Sequence, residues 1–131
     1  MPTLHLAYTH PDTAARQPEP QALAAELTHL TSTLLHKRAD LTAVHLQPVP
    51  PQQWWVGGTL PTDQGLAAYR LRIDVSQGTN TSDQMAAYIE SVHQAMGQLL
   101  GPVHPASYVV VQEQPMAHWG WGGRSQAARL A

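Results

Sequence analysis

The residue in this chain best suited to chemistry is the proline at position 2. Methionine before a small residue is usually removed from a new chain, and removal of Met1 would leave Pro2 with a free secondary amine. Such an amine acts as a general base when its surroundings hold its pKa near neutrality. Proline is also a common second residue without any such role. Pro2 is therefore a candidate base that the rest of the chain must support.

Two cations lie two residues apart in an alternating segment, Arg70 and Arg72. Their spacing puts both on one face of a strand, where they would either bind an anionic substrate or form ion pairs with Asp74 or Glu113. Tyr108 offers a phenol that could donate a hydrogen bond to a substrate carbonyl. No metal-ligand spacing relates five of the eight histidines, so no metal site is expected among them. These histidines are His5, His29, His36, His93 and His104.

Composition narrows the class of protein. The chain has 131 residues, a hydrophobic fraction of 43%, a net charge of −2 and no cysteine. This length and content suit one ordinary domain, without disulfides or thiolate metal sites. The charge gives no case for binding nucleic acid or an anionic membrane. Without a long apolar run or a signal-like start, the expectation is a soluble cytoplasmic protein.

The elements that must position these residues begin with a strand. Residues 3–9 alternate, with one buried face, and end at a His-Pro-Asp break. A helix of about four turns follows, beginning near Pro18 or Pro20. Residues 41–47 then form a second predicted strand, and residues 54–58 a short hairpin. The helix carries an apolar stripe made of Leu23, Leu27, Leu30 and Leu34.

The same order of elements then repeats. A strand is predicted around residues 69–75, and a helix follows with Ser82 as its N-cap. The helix stops at Gly101-Pro102, and residues 108–112 form the last long strand. Its apolar stripe consists of Met85, Tyr88, Val92, Met96 and Leu99. Residues 118–123, His-Trp-Gly-Trp-Gly-Gly, resemble the earlier hairpin, and residues 124–131 are expected to be a frayed tail.

A constant shift of 65 residues relates the two halves. It superimposes residue pairs from a strand, a helix and a hairpin. These pairs are Val44 and Val109, Leu27 and Val92, Leu34 and Leu99, Trp54 and Trp119, and Gly57 and Gly122. We therefore predict one α+β domain of two β-α-β units, 2–58 and 67–123. The predicted fold is a four-stranded mixed sheet with both helices on one face, the other face being covered by self-association.

With this repeat in place, the sequence resembles the tautomerase superfamily, whose simplest members are the 4-oxalocrotonate tautomerases. Three features carry the resemblance: Met1-Pro2 leading into a strand, the duplicated β-α-β unit, and the ending from Glu113 to Gly123. Single-unit members of that family assemble as hexamers. The resemblance therefore implies a homotrimer for a fused, two-unit chain.

The resemblance also implies roles for particular residues. Pro2 matches the catalytic proline, whereas Ala67 stands at the equivalent place in the second unit. Arg16 resembles the arginine that binds a substrate carboxylate. Trp54 and Trp119 match the hairpin aromatic that shields the site, or else pack at an interface.

The chain also departs from the family pattern. The second-strand arginine of the family falls on Ala43 or Tyr108, and His45 beside it is interpreted as an ordinary strand histidine. Trp121 replaces the carboxylate that dehalogenase-like members need, which disfavours hydration.

The function implied is that of a cofactor-independent tautomerase acting on a small 2-hydroxydienoate or phenylpyruvate-like acid. Pro2 would be both base and acid, and Arg16, joined by Arg72, would hold a carboxylate. Two alternatives remain open at this point. One is decarboxylation of a small oxo acid on the same scaffold, and the other is a trimeric binding protein with weak catalysis.

Overall fold

The computed structural model describes residues 1–12 and 17–130, and its centre is one four-stranded sheet. The strands are β1 (Thr3–Thr9), β2 (Ala43–Pro48), β3 (Ala68–Ser76) and β4 (Tyr108–Gln114), in the order β2-β1-β3-β4. β1 pairs with β2 in parallel, β3 pairs with β4 in parallel, and β1 and β3 are antiparallel. The predicted mixed sheet of two β-α-β units is confirmed.

Both long helices cover one face of this sheet. They are α1 (Pro20–Leu35) and α2 (Ser82–Leu100), and they pack on each other as well as on the strands. The alternation of strand side chains supplies the apolar face under them. Its buried residues are Leu4, Leu6 and Tyr8 from β1 and Tyr69, Leu71, Ile73 and Val75 from β3. The opposite face carries polar side chains, His5, Arg70, Arg72 and Asp74 among them.

The buried positions of the helices differ by one from part of the predicted stripe. Leu30 and Leu34 only flank the core, whereas Thr31 and Leu35 are fully inside it. Thr31 is tolerated there because its hydroxyl bonds to the Leu27 carbonyl at 2.7 Å and to the Tyr88 hydroxyl at 2.8 Å. The shift of 65 still relates the helices, since their buried residues pair as Leu23/Tyr88, Leu27/Val92, Thr31/Met96 and Leu35/Leu100.

Two element boundaries differ from the prediction. β2 begins at Ala43 rather than residue 41, because Ala39–Leu41 forms a 3-10 turn before it. α2 has Thr81 and not Ser82 as its N-cap. Thr81 accepts a hydrogen bond from the Gln84 backbone N–H, and the Gln84 side chain accepts one from the Thr81 N–H. This reciprocal capping box fixes the start of the helix one residue earlier.

The predicted frayed tail was wrong for the residues that the structure describes. A hairpin joins β5 (Gly120–Trp121) to β6 (Arg124–Ser125), and α3 (Gln126–Leu130) follows directly. Gly122 and Gly123 supply the two positive φ angles, 59° and 80°, that such a tight turn requires. The returning chain is tied down where the Gln126 N–H donates to the Trp119 carbonyl at 2.9 Å.

Within the described ranges, no helix is long and apolar enough to cross a bilayer. The division of the chain into units 2–58 and 67–123 remains our proposal. The hairpin of the first unit has the same form as that of the second unit, and an isolated bridge pairs Val56 with Thr59. Gly57 and Gly58 occupy its turn, also with positive φ angles.

Candidate active site

Four chain segments meet at one edge of the sheet. β1 begins there, and its partner β3 ends there, because the two strands are antiparallel. β4 runs parallel to β3 and therefore ends at the same edge. α1 returns from the far end of β1, so its C-terminal end also lies beside the start of β1. The amino terminus of the chain is thus surrounded by the ends of three other elements.

A cavity of about 220 Å³ opens at this edge, around the amino terminus. Pro2 is buried immediately behind Met1. The cavity wall combines the end of α1, the end of β3 and the C-terminal segment of the chain. Its lining residues are Met1, His36, Lys37, Arg38, Ser76, Thr79, Met116, Gln126 and Leu130.

The electrostatics of the cavity favour a neutral amine at the amino terminus. Burial lowers the pKa of the terminal amino group of Met1, and the positive charge of Lys37 lowers it further. Lys37 is itself partly buried, which lowers its own pKa, while the carboxylate of Glu113 acts in the opposite direction. Lys37 Nζ donates a hydrogen bond to Thr79 Oγ1 at 2.7 Å. The terminal amine and this cation therefore share one pocket.

Arg38 is the second cation on the cavity lining, and it is already paired. Its guanidinium donates two hydrogen bonds to the Asp40 carboxylate, at 2.7 and 3.1 Å. Both side chains are mostly exposed. The hydrogen bond to Asp40 raises the pKa of Arg38 and lowers that of Asp40. Within the described ranges Lys37 forms no salt bridge, so it is the better placed of the two cations to receive an anion.

The floor of the cavity is a polar cluster at the end of β3. Ser76 is only 5% exposed, and its Oγ accepts a hydrogen bond from Trp119 Nε1 at 3.2 Å. The Gln126 side-chain amide donates to the same oxygen at 3.4 Å. Met116 and Leu130 add apolar surface to the wall. The site therefore has a cationic side, a polar floor and an apolar wall.

Comparison with known families agrees with this geometry. Residues 71–129 match the family model described as tautomerase enzyme. The second half of this chain is therefore similar to tautomerase enzymes. The match covers most of β3, all of α2 and β4, and most of the C-terminal segment, including the Ser76, Met116 and Gln126 part of the cavity. Among curated proteins, none matches the sequence.

Solved structures with the same fold include fused 4-OT proteins. The F6 fused 4-OT wild-type asymmetric trimer has a TM-score of 0.77 at 21% identity, covering 95% of this chain and 98% of that one. Pt0534 inactivated by 2-oxo-3-pentynoate has a TM-score of 0.79 at 16% identity, covering 97% and 98%. A macrophage migration inhibitory factor homologue from Prochlorococcus marinus has a TM-score of 0.73 at 19% identity, covering 94% and 97%. These likenesses establish the fold of this chain.

The structure brings only part of the predicted site together within one chain. Trp119 lies beside the cavity through its bond to Ser76. Arg72 instead forms an ion pair with Asp74 at 3.1 Å on the sheet face opposite the helices. Arg16 lies outside the described residues.

Two further predicted site residues lie away from the cavity of their own chain. Tyr108 begins β4, opposite Arg70, and is 63% exposed. Because β4 ends at the cavity edge, its first residue is at the other end of the sheet. Trp54 follows β2, whose last residues pair with the last residues of β1. Both aromatic residues therefore lie toward the edge opposite Pro2.

Lys37, Ser76, Thr79 and Gln126 are cavity residues that the sequence prediction missed. Lys37 was within reach of inference, because a helix that returns to the start of a parallel strand must end near that start. The sequence instead suggested only that this cation suits the end of the helix dipole. Ser76 and Gln126 carried no such signal, since they meet through a side-chain contact between segments 50 residues apart.

The second unit of the tautomerase fold has no equivalent amine. Ala67 is 1% exposed and lies inside the chain, with its N–H donating to the Pro102 carbonyl at 2.8 Å. Its carbonyl in turn accepts from the His104 N–H at 2.8 Å. An amide nitrogen held in this way has no free lone pair for a proton. The chain therefore offers one amino-terminal amine, in one cavity.

Proposed function

We propose that this chain is a cofactor-independent tautomerase that interconverts the enol and keto forms of a small 2-hydroxydienoate or phenylpyruvate-like acid. Pro2 is the general base and acid, after removal of Met1. The observation that carries the proposal is the cavity around the amino terminus, in which burial and Lys37 both lower the pKa of the terminal amine. We also propose that the protein acts in the cytoplasm as a homotrimer.

The proposed reaction moves one proton and leaves no net change in charge. In the direction of ketonisation, the neutral amine of Pro2 takes the proton from the enol hydroxyl. The electron pair then delocalises from oxygen to carbon, and the ammonium of Pro2 returns the proton to that carbon. A base works best when its pKa lies near the working pH, and such a base contributes about 10²–10⁴-fold in rate. The pKa of the Met1 amine, which now occupies this cavity, is lowered in the required direction, and we propose that the same surroundings act on the amine of Pro2.

Lys37 is the proposed partner of the substrate carboxylate. Its ammonium lines the cavity, is partly desolvated and makes its one described hydrogen bond to the neutral Thr79 hydroxyl. A carboxylate brought to this ammonium gains a charge-assisted hydrogen bond. Met116 and Leu130 then face the apolar remainder of the acid. Arg16 remains a second proposed carboxylate ligand.

Self-association is supported by the polar face of the sheet and by the neighbouring folds. The fused 4-OT structures are described as symmetric and asymmetric trimers. Among the residues that the structure describes, both long helices pack on the other face, and this face carries Arg72, His5 and Gln47. We propose that this face meets other copies in the trimer. Tyr108, Trp54 and Arg72 would then contribute to a neighbouring copy's site rather than to their own.

The proposed function is tested first by mass and then by rate. The intact mass of the natively processed protein should lack Met1. Ketonisation of phenylenolpyruvate and of 2-hydroxymuconate should be fast in wild type and about 10²–10⁴-fold slower in kcat/KM for Pro2→Ala. Pro102→Ala is the matched control, because Pro102 is exposed at the far edge of the sheet and its carbonyl contact does not need the ring. Equal rates for wild type and Pro2→Ala would sink the proposal.

A further inference from the structure

Ser76 lies closer to the catalytic edge than any other hydroxyl on β3. It is the last residue of that strand, and it lines the cavity. The antiparallel register pairs Thr3 with Asp74. Continued by two residues, that register puts Ser76 opposite Met1, next to the position opposite Pro2. Removal of Met1 would therefore open space directly across from the Ser76 hydroxyl.

In its described hydrogen bonds the Ser76 hydroxyl acts only as an acceptor, so its own proton is not donated. Trp119 Nε1 and the Gln126 amide nitrogen both donate to Ser76 Oγ, at 3.2 and 3.4 Å. A hydroxyl has two acceptor lone pairs and one donor proton, so these two contacts occupy both lone pairs. Among the residues that the structure describes, no acceptor for the Ser76 proton is present. A hydroxyl that is 5% exposed and held by two donors has a fixed orientation.

We infer that the Ser76 hydroxyl donates a hydrogen bond to the substrate oxygen that gains negative charge during proton transfer. The inference rests on the proposed function and adds a catalytic residue to it. When the Pro2 amine removes the enol proton, the charge left on that oxygen is what the Ser76 O–H meets. No proton leaves Ser76, since the same proton that Pro2 took from oxygen is delivered to carbon.

The arrangement suits this role for a physical reason. A donor already oriented toward developing charge costs no reorganisation at the moment of reaction, and in a partly buried site its effect is larger than in water. Because Trp119 and Gln126 both donate to the Ser76 oxygen, the hydroxyl cannot rotate to donate its proton to another protein group. They also raise its donor strength, because hydrogen bonds received by an oxygen polarise the bond that it donates. The C-terminal segment thus positions the donor as well as closing the cavity.

The first test compares variants that remove the hydroxyl with variants that remove its partners. Ser76→Ala should lower kcat for phenylenolpyruvate about 10- to 100-fold, with KM changed less than about threefold, since the lost hydrogen bond forms to charge in the transition state. The double variant Trp119→Phe with Gln126→Leu keeps the hydroxyl and should lose less. The inference is wrong if Ser76→Ala turns over like wild type, or if the double variant loses as much as Ser76→Ala.

The second test does not depend on turnover. 2-Oxo-3-pentynoate is an activated alkyne. Addition of the Pro2 amine forms an N–C bond as one alkyne π bond breaks, and negative charge moves to the carbonyl oxygen. The proton of the amine then passes to the adjacent carbon. Mass spectrometry should locate the adduct on Pro2, and Ser76→Ala should be labelled about tenfold more slowly than wild type. Equal labelling rates, together with equal turnover, would overturn the role of Ser76 alone. If wild type is neither labelled at Pro2 nor active, the proposed function itself fails and takes this inference with it.

Discussion

Leu6 and Leu71 lie opposite each other in the antiparallel pair of β1 and β3, and they hold equivalent places in the two repeated units. Both are completely buried. The approximate two-fold axis that relates the units therefore passes between these two side chains. Because of this axis, Pro2 and its counterpart Ala67 lie toward opposite ends of the sheet. A duplicated fold consequently retains a single amine site, at one edge.

This central pair predicts the largest losses of stability. Leu6→Ala and Leu71→Ala should each lower the free energy of unfolding by about 2–5 kcal/mol, because each leaves a cavity among fully packed neighbours. Leu130→Ala is the control, since its side chain is 74% exposed and should change stability by less than about 0.5 kcal/mol. Urea denaturation measures all three. Losses below about 1 kcal/mol at both central leucines would contradict the packing described.

The buried pair of Tyr88 and Thr31 predicts a loss of stability at alkaline pH. Burial raises the pKa of the Tyr88 phenol to about 12, although its hydrogen bond with Thr31 acts the other way. A folded-state pKa above the unfolded value of about 10 means that the stabilisation is complete below pH 10 and is lost as pH rises toward 12. In Tyr88→Phe the fall in stability across this window should be smaller than in wild type.

The Tyr88→Phe variant also separates the two contributions of the hydroxyl. At pH 7 it should be about 0.5–1.5 kcal/mol less stable, the usual net contribution of one buried hydrogen bond. Thr31 keeps its bond to the Leu27 carbonyl, so no buried hydroxyl is left unpaired. Tyr108→Phe, on an exposed side chain, should keep the wild-type pH dependence. An unchanged alkaline transition in Tyr88→Phe would argue against its burial as the cause.

The positive charge of Lys37 predicts a shift in the pH profile of catalysis. Burial, and to a smaller extent Lys37, lower the pKa of the Met1 amine, and we expect the same two causes to act on the amine of Pro2 once Met1 is removed. The base must be neutral, so activity is lost as pH falls through that pKa. Lys37→Met removes one lowering cause and should move the acidic limb of kcat/KM to higher pH. It should also reduce the plateau about 10- to 100-fold, through loss of the carboxylate contact.

Lys37→Arg serves as the charge-retaining control for this prediction. It should keep the acidic limb near its wild-type position, even where its longer side chain binds the substrate less well. The measurement is the pH dependence of kcat/KM for phenylenolpyruvate in all three proteins. If the limb moves equally in Lys37→Met and Lys37→Arg, the charge at position 37 does not tune the amine.

Strand and helix periodicity made most of the fold predictable, but not the register of β4. The predicted shift of 65 aligned Val44 with Val109. In the sheet Leu6 pairs with Leu46 and Leu71 pairs with Val109, so Leu46 is the true counterpart of Val109. Leu6 and Leu46 are 40 residues apart, whereas Leu71 and Val109 are 38 residues apart, so the second crossover is two residues shorter. Because two residues are one period of a strand, every side chain kept its face and the sequence pattern did not reveal the difference.

Residues that depend on topology were recoverable, whereas those that depend on a single long-range contact were not. The place of Pro2 beside the cavity follows from its position at the start of β1, and that of Lys37 follows from where α1 must end. Gln126 lies in a helix of five residues, too short to show a helical period. Its approach to Ser76 depends on a tight turn at Gly122 and Gly123 that returns the chain over the cavity.

Gly120 in that returning hairpin gives the last prediction. A Cβ at this position would overlap the backbone carbonyl of Arg124, so Gly120→Ala must push β5 and β6 apart. The hairpin leads directly into α3, whose Gln126 and Leu130 line the cavity. We expect a stability loss of about 1–3 kcal/mol, of the size seen for overpacking, together with a fall in kcat/KM.

Gly97→Ala is the matched control for Gly120→Ala. Gly97 lies inside α2, and an added Cβ would meet no heavy atom within 4 Å. Alanine should therefore stabilise the helix by about 0.5–1 kcal/mol and leave kcat/KM unchanged. Urea denaturation and ketonisation rates are measured side by side for the two variants. They test the loss of stability and activity expected for Gly120→Ala and the gain of stability expected for Gly97→Ala. If Gly120→Ala matches wild type in both measurements, the close approach of β5 and β6 does not hold the cavity wall in place.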